Sequence, residues 1–346
     1  MSAALASPSL LDVEDAIQAN ELFQDNGWTD GLPIVPPTES LVSEFVAAMR
    51  MDRDAVIGTE PVRRRRLTAE KVAIAGVMAG CRPEYMPVVR AAVEAMCDPA
   101  FNLHGCTAST GGAAPMLIVN GPIRTRIGMN ATHNALGNGS RANATIGRTI
   151  RLVILNLLGG APGQLDRATL GYPGKFTFCV AEDEEDSQWI PLAQERGVSA
   201  GTSAVTVFSA ISPHQILHEW THDPKELLAT YAAAVKVNML TYSIWQGNYA
   251  IVVPRQQREI FNAAGWSKQD IREDMFERCQ VLRKQWRDVG KAMVAGRKDE
   301  DKAYRALRSP DDLLVIAAGG PAGGFGVVAP PWYGWKSLAI TVPVAD

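Results

Sequence analysis

The sequence predicts an α/β protein made of two halves, each a mixed sheet flanked by helices. Three observations predict it. Short apolar runs suited to buried strands recur at 116–119, 176–181, 205–211, 250–253 and 313–318. Longer Ala- and Val-rich stretches lie between several of them, apolar around most of their circumference, as buried helices are. Gly and Pro stand at the ends of these segments and stop them.

Taken in order, residues 1–10 read as a loose arm. Val13, Ile17, Leu22 and Phe23 have helical spacing over 13–25. Gly27 to Thr38 is too rich in Gly and Pro for regular structure and too apolar for an exposed linker, so it is expected to pack. Thr38 caps a helix running to about 51. Arg63-Arg64-Arg65-Arg66 falls on an edge strand at 62–67, most simply a solvated edge. Helices are expected at 68–78 and 84–97, broken at Gly80-Cys81-Arg82-Pro83. A polar loop at 101–112 feeds the strand at 116–119, which stops at Gly121-Pro122. An Asn- and Gly-rich segment at 130–143 leads into a helix at 144–158. A connector at 159–175 marks the mid-chain boundary, giving halves of 1–165 and 166–346. After the strand at 176–181, Glu182 to Asp186 reads as a solvated acidic turn. Helices at 225–239, 255–264 and 268–295 follow the strand at 205–211. The Gly319-to-Gly324 loop follows the strand at 313–318, and 327–329 and 337–344 complete the sheet.

A helix, a polar loop, an apolar strand and a Pro occur in the same order at 88–122 and 228–254. As a duplication, this would relate the halves by a pseudo-two-fold axis and put a pocket between them.

The chain has 346 residues, a formal net charge of −3 and five scattered cysteines. The near-neutral balance gives no reason to expect nucleic acid or an anionic membrane as partner. No Cys-x-x-Cys or zinc-ribbon spacing occurs, so neither a disulfide framework nor a structural zinc is indicated, and a reducing, cytoplasmic compartment is expected. The first residues lack the basic and apolar regions of a signal peptide. No apolar run approaches the ~20 residues that span a bilayer.

Chemistry-bearing side chains concentrate in two places. His104 and Cys106 lie two apart in the 101–112 loop, and in an extended loop they share a face, so that the imidazole can act on the thiol. Thr110 follows, and Gly111 and Gly112 can present backbone N–H groups to a substrate oxygen. His214, His218, Glu219 and His222 form the second group. Read as a helix, H-E-x-x-H places His218 and His222 on one face with His214 a turn away, a set able to hold zinc or a similar divalent metal. Asn130, Arg141 and Asn248 are candidate substrate contacts, Arg141 because it stands where a helix start can hold an anion. Cys81, at a helix break, is a second candidate thiol. No Walker or G-x-G-x-x-G pattern occurs in the required context, so no nucleotide cofactor is expected.

Asp30-Gly31-Leu32-Pro33-Ile34-Val35-Pro36-Pro37-Thr38, Ala79-Gly80-Cys81-Arg82-Pro83-Glu84-Tyr85-Met86-Pro87, Gly111-Gly112-Ala113-Ala114-Pro115, Arg141-Ala142-Asn143-Ala144-Thr145-Ile146-Gly147-Arg148 and Gly174-Lys175-Phe176-Thr177-Phe178-Cys179 together carry a resemblance. The chain resembles a poorly characterised bacterial family labelled thiol-disulfide oxidoreductase-like, related to selenocysteine-Gly-Ser-Cys proteins. The resemblance implies thiol chemistry and draws attention to His214, after Pro213, and to His218. The chain departs from the pattern in having neither Cys-x-x-Cys nor Cys-Gly-Ser-Cys.

These readings converge on a cytoplasmic, homo-oligomeric hydrolase or lyase of a small polar or anionic substrate. His104, His214 and His218 would serve as acid–base groups or metal ligands, with Cys106 or Cys81 as nucleophile in a covalent step. The pocket would combine the loops at 101–112, 130–143, 214–222 and 241–248. A thiol-based oxidoreductase and a non-catalytic binding or assembly subunit are the alternatives.

Overall fold

The computed structural model describes residues 11–296 and 299–345; the arm expected at 1–10 lies outside them. In chain order the strands are β1 (Val56–Thr59), β2 (Arg66–Thr68), β3 (Ala114–Asn120), β4 (Cys179–Ala181), β5 (Ala204–Ala210), β6 (His214–Leu217), β7 (Tyr249–Val253), β8 (Gln280–Leu282), β9 (Ala303–Arg305), β10 (Leu313–Ala317), β11 (Phe325–Ala329) and β12 (Ile340–Pro343). Two four-stranded mixed sheets form the centre, ordered β12-β5-β3-β4 and β10-β7-β11-β6. Both have the same pattern of strand senses. A central strand (β3 or β7) has a parallel neighbour on one side (β4 or β10) and two successive antiparallel strands on the other.

Side-chain alternation along the strands explains how the layers stack. In the first sheet Leu117, Val119, Val205 and Val207 pack outward with Val72, Val89, Ile146 and Ile150 of the helices Ala69–Ala79, Met86–Cys97 and Arg141–Leu158. In the second, Ile251, Val253 and Val315 pack with Leu228, Tyr231, Phe261 and Ile271 of the helices Pro224–Tyr242, Arg255–Ala263 and Lys268–Arg278. The intervening residues, Met116, Ile118 and Phe208 on one sheet and Val252, Leu314 and Ile316 on the other, share a third core. The order of layers is therefore helix, sheet, sheet, helix, an α/β fold as the sequence predicts.

The halves are interlaced. β5 passes through 211–213 into β6 of the other sheet, and β11 passes through 330–339 into β12 of the first. The expected break at 165/166 does not separate the sheets, because β4 and β5 both pair with β3. The predicted helix at 268–295 ends at Arg278. Cys279 and Val281 are both buried, a two-residue spacing that an extended strand satisfies, and β8 pairs there with β9. The acidic segment is solvated only in part: Glu185 and Asp186 are exposed, but Glu182 and Asp183 are not. Glu182 accepts from Lys268 Nζ at 2.6 Å and Asp183 from Arg258 at 2.5 Å, all four residues buried, so the end of β4 is clamped onto the helical layer of the other half. No described helix is long and apolar enough to cross a membrane.

Candidate functional site

The four loops expected to form one pocket are divided between the two ends of the sheets. At one end Ala114 pairs with Ala210, and Ala210 bridges Pro331. The 101–112 loop, Tyr242 and the crossing at 330–333 gather there. At the other end, beyond the carboxyl ends of β3 and β7, the 130–143 segment meets the glycine loop through Gly319 N–H donating to the Ala131 carbonyl at 2.8 Å. A cavity of about 410 Å³ lies at that end, lined by Asn134, Gln215, Gly320, Gly323 and apolar side chains, with no charged group among its lining residues.

Charged and reactive groups collect at the first end. The 101–112 loop is not extended. Asn102 adopts φ 62° and its side chain accepts from Gly105 N–H, starting the short helix Leu103–Ala108. A helix turns residues two apart by about 200°, so His104 and Cys106 point in opposite directions and the expected imidazole–thiol pair does not form. Cys106 points inward and is buried with Ala113, Ile211 and Trp332, with Tyr242 against the cluster. Ser209 of β5 donates to its Sγ at 2.9 Å. Burial pushes the thiol pKa up, against a lowering by the Ser209 hydrogen bond and by the nearby charges of Arg151 and Lys175; Asp166 raises it. Cys106 is thus a neutral thiol at neutral pH, with its S–H not engaged by Ser209, and no preformed thiolate.

The charges around it come from the helix Arg141–Leu158 and the connector after it. Lys175 Nζ lies 2.6 Å from Asp166, while Arg151 stands 3.9 Å from the same carboxylate and donates Nε–H to the Lys175 carbonyl at 2.8 Å. Arg148, a turn away, is held by both oxygens of Asp30 at 2.7 Å. Above the thiol, the Trp332 indole donates to Ser109 Oγ at 2.6 Å, and Tyr172 donates to the Ala210 carbonyl at 3.1 Å. Gly111 lies against the Tyr242 hydroxyl, where a β-carbon would overlap it. Gly112 has φ +72°, and a β-carbon there would meet Gly171 Cα at 3.0 Å. The Thr110 carbonyl accepts from Thr169 N–H at 3.0 Å, which closes the 166–172 loop over this turn.

The other expected residues have different surroundings. Asn248 is buried, donates to the Asp312 carbonyl at 3.2 Å and accepts from Ala339 N–H at 2.8 Å, joining two loops. Arg141 donates to the Gly80 and Cys81 carbonyls, capping the end of the helix Ala69–Ala79. Asn130 shapes its own turn through Thr132 and the His133 carbonyl. Burial raises the pKa of Cys81, which shares a hydrogen bond with Thr149 Oγ1 at 3.2 Å, so its position at a helix break does not produce a thiolate.

The 214–222 segment is not helical. His214 lies on β6, His218 and His222 follow in an irregular stretch, and no helical face is shared. Among the described residues no group of three or more His, Cys, Asp or Glu side chains placed to hold an ion is found, and His214, His218 and His222 do not share the helical face expected of them. His218 donates its backbone N–H to the Gly324 carbonyl at 2.8 Å, and its Nδ1 is buried without a partner, as is Nδ1 of His104. These two imidazoles belong to opposite ends of the sheets.

Sequence reading missed Arg151, Asp166, Tyr172, Ser209 and Trp332. One signal was present: Arg151 interrupts an otherwise apolar run from Ile150 to Ile154 on a helix. No family model, no curated protein and no solved structure matches this chain.

Proposed function

We propose that the chain is a small-molecule enzyme of the lyase or hydrolase class, with the Cys106 thiol as proton donor to the departing group of the substrate. The observation that carries this reading is the environment of Cys106. The thiol is protonated in the resting protein, and the Ser209 hydrogen bond and the nearby charges of Arg151 and Lys175 would stabilise the thiolate left when its proton passes to a developing negative charge. The seam position supports it as well, since the cluster around the thiol draws on both halves of the chain. A dithiol exchange has less support: the chain has neither Cys-x-x-Cys nor Cys-Gly-Ser-Cys. The odd count and scattered positions of the five cysteines support a reducing, cytoplasmic setting. We retain homo-oligomerisation as part of the reading, to be tested by light scattering.

The experiment is a screen of small polar metabolites against purified protein, followed by NMR, with Cys106→Ser and Cys106→Ala beside the wild type. A proton donor of this kind contributes a factor of about 10²–10⁴, so turnover is expected to fall by that much in both variants with the fold intact. Full turnover in both would end the reading. His104→Ala and His218→Ala provide the comparison for a histidine-based mechanism: a collapse in either, with Cys106→Ser active, would move the chemistry to that residue.

A further inference from the structure

Beside Cys106 the charges do not cancel. Arg148 is matched by Asp30, and Lys175 by Asp166, each pair within hydrogen-bond distance. Arg151 is left over. It is 3.9 Å from Asp166, beyond a hydrogen bond, and Nε–H to the Lys175 carbonyl is its one hydrogen bond among the described residues. Its side chain is 11% exposed. A guanidinium does not shed its proton under ordinary conditions, so the cluster carries one excess positive charge in a largely dehydrated place, a costly arrangement without a counter-ion. The neutral Cys106 does not supply that counter-charge.

We propose that Arg151 is the anchor for a carboxylate group of the substrate, its two Nη groups providing the donors. A single excess charge fits a monoanion better than a phosphate dianion, and the planar fork of a guanidinium matches the two oxygens of a carboxylate. The inference rests on the placement of the active site at Cys106, but carboxylate binding itself does not require the thiol.

The test is calorimetric titration of the full chain with acetate, propionate and butyrate, and with acetamide and propionamide as neutral controls. The carboxylates are expected to bind saturably and the amides not to. Hydrogen bonds to a charged group contribute about 1.5–3 kcal/mol, so Arg151→Gln should weaken binding at least about tenfold. Asp166→Asn removes the carboxylate that stands 3.9 Å from Arg151 and should tighten it. The second variant keeps the test decisive where Arg151→Gln fails to fold. Cys106→Ser should bind carboxylates as the wild type does while losing turnover, which separates this inference from the catalytic one. Equal binding of amides, or affinities unchanged in both Arg151→Gln and Asp166→Asn, would overturn it.

Discussion

Ser209 donates its hydroxyl to Sγ of Cys106 across 2.9 Å, joining the middle strand of the first sheet to the short helix that precedes that sheet's central strand. The bond opposes the burial that pushes the thiol pKa up. In Ser209→Ala only burial and the surrounding charges remain, so the thiol should titrate at higher pH. Thiolate absorbance against pH, with Cys106→Ala subtracted as the baseline, measures this directly. A stability loss of about 0.5–1.5 kcal/mol should accompany the lost hydrogen bond. A midpoint that stays put or moves down would show that Ser209 does not govern the sulfur.

Gly111 and Tyr242 form a second dependent pair. A β-carbon at 111 would overlap the tyrosine hydroxyl and come within 3.3 Å of both its Cζ and Ser109 Oγ. Gly111→Ala should therefore cost about 1–3 kcal/mol, as overpacking does. Because the clash is with one side chain and not with backbone, Tyr242→Ala should absorb most of that cost, making the double variant less destabilised than the sum of the singles. Urea unfolding of the four proteins gives the coupling. Strict additivity would mean the turn is displaced from where it stands here.

The strands were legible because apolar runs carry their own signal: β3, β5, β7 and β10 fall within a residue or two of their expected positions. What the sequence concealed was the partnering. Glu182 and Asp183 look like a solvated turn until Lys268 and Arg258, from far along the chain, are brought against them. The histidines of 214–222 match a helical metal motif by spacing, yet β11 offers an open edge with which 214–217 pair as β6, and tertiary pairing overrides the local pattern. Asn102 is a similar case. In the left-handed region it starts a helix where a loop was expected, and that one turn sends His104 away from Cys106.

The Glu182–Lys268 pair is expected to hold the two halves together. Glu182 also accepts from Asn120 Nδ2 at 2.6 Å and from Leu192 N–H at 2.7 Å, so it is tied to the side of the first sheet by hydrogen bonds and to the side of the second by Lys268 and by Ala317 N–H of β10 at 3.3 Å. Lys268→Met would leave a buried carboxylate without its cation, a loss of about 3–5 kcal/mol. Glu182→Gln in the same chain removes the stranded charge and should recover part of the loss. Chemical denaturation tests this. If the double variant is no more stable than Lys268→Met alone, the charge is not what matters at this contact.

Alkaline pH should destabilise the fold through its buried thiols and phenols. Burial pushes Cys97 and Cys279 up to about 12 and raises Cys81, Cys106 and Cys179 as well. Tyr172, Tyr231 and Tyr249 move in the same direction for the same reason. Each group holds its proton more tightly folded than unfolded. Above the unfolded thiol value of about 8.5 the unfolded chain binds fewer protons than the native one, and stability falls as pH rises. The contribution is complete below that value and is lost progressively toward the folded values, including about 12 for Cys97 and Cys279. Thermal unfolding should therefore show a falling Tm above about pH 9, where free thiols begin to ionise. Cys279→Ala should flatten that decline, since it removes one of the linked protons, even while the cavity it leaves lowers Tm at neutral pH. A Tm that is level through the alkaline range in the wild type, or a slope unaltered by Cys279→Ala, would contradict the burial of these groups.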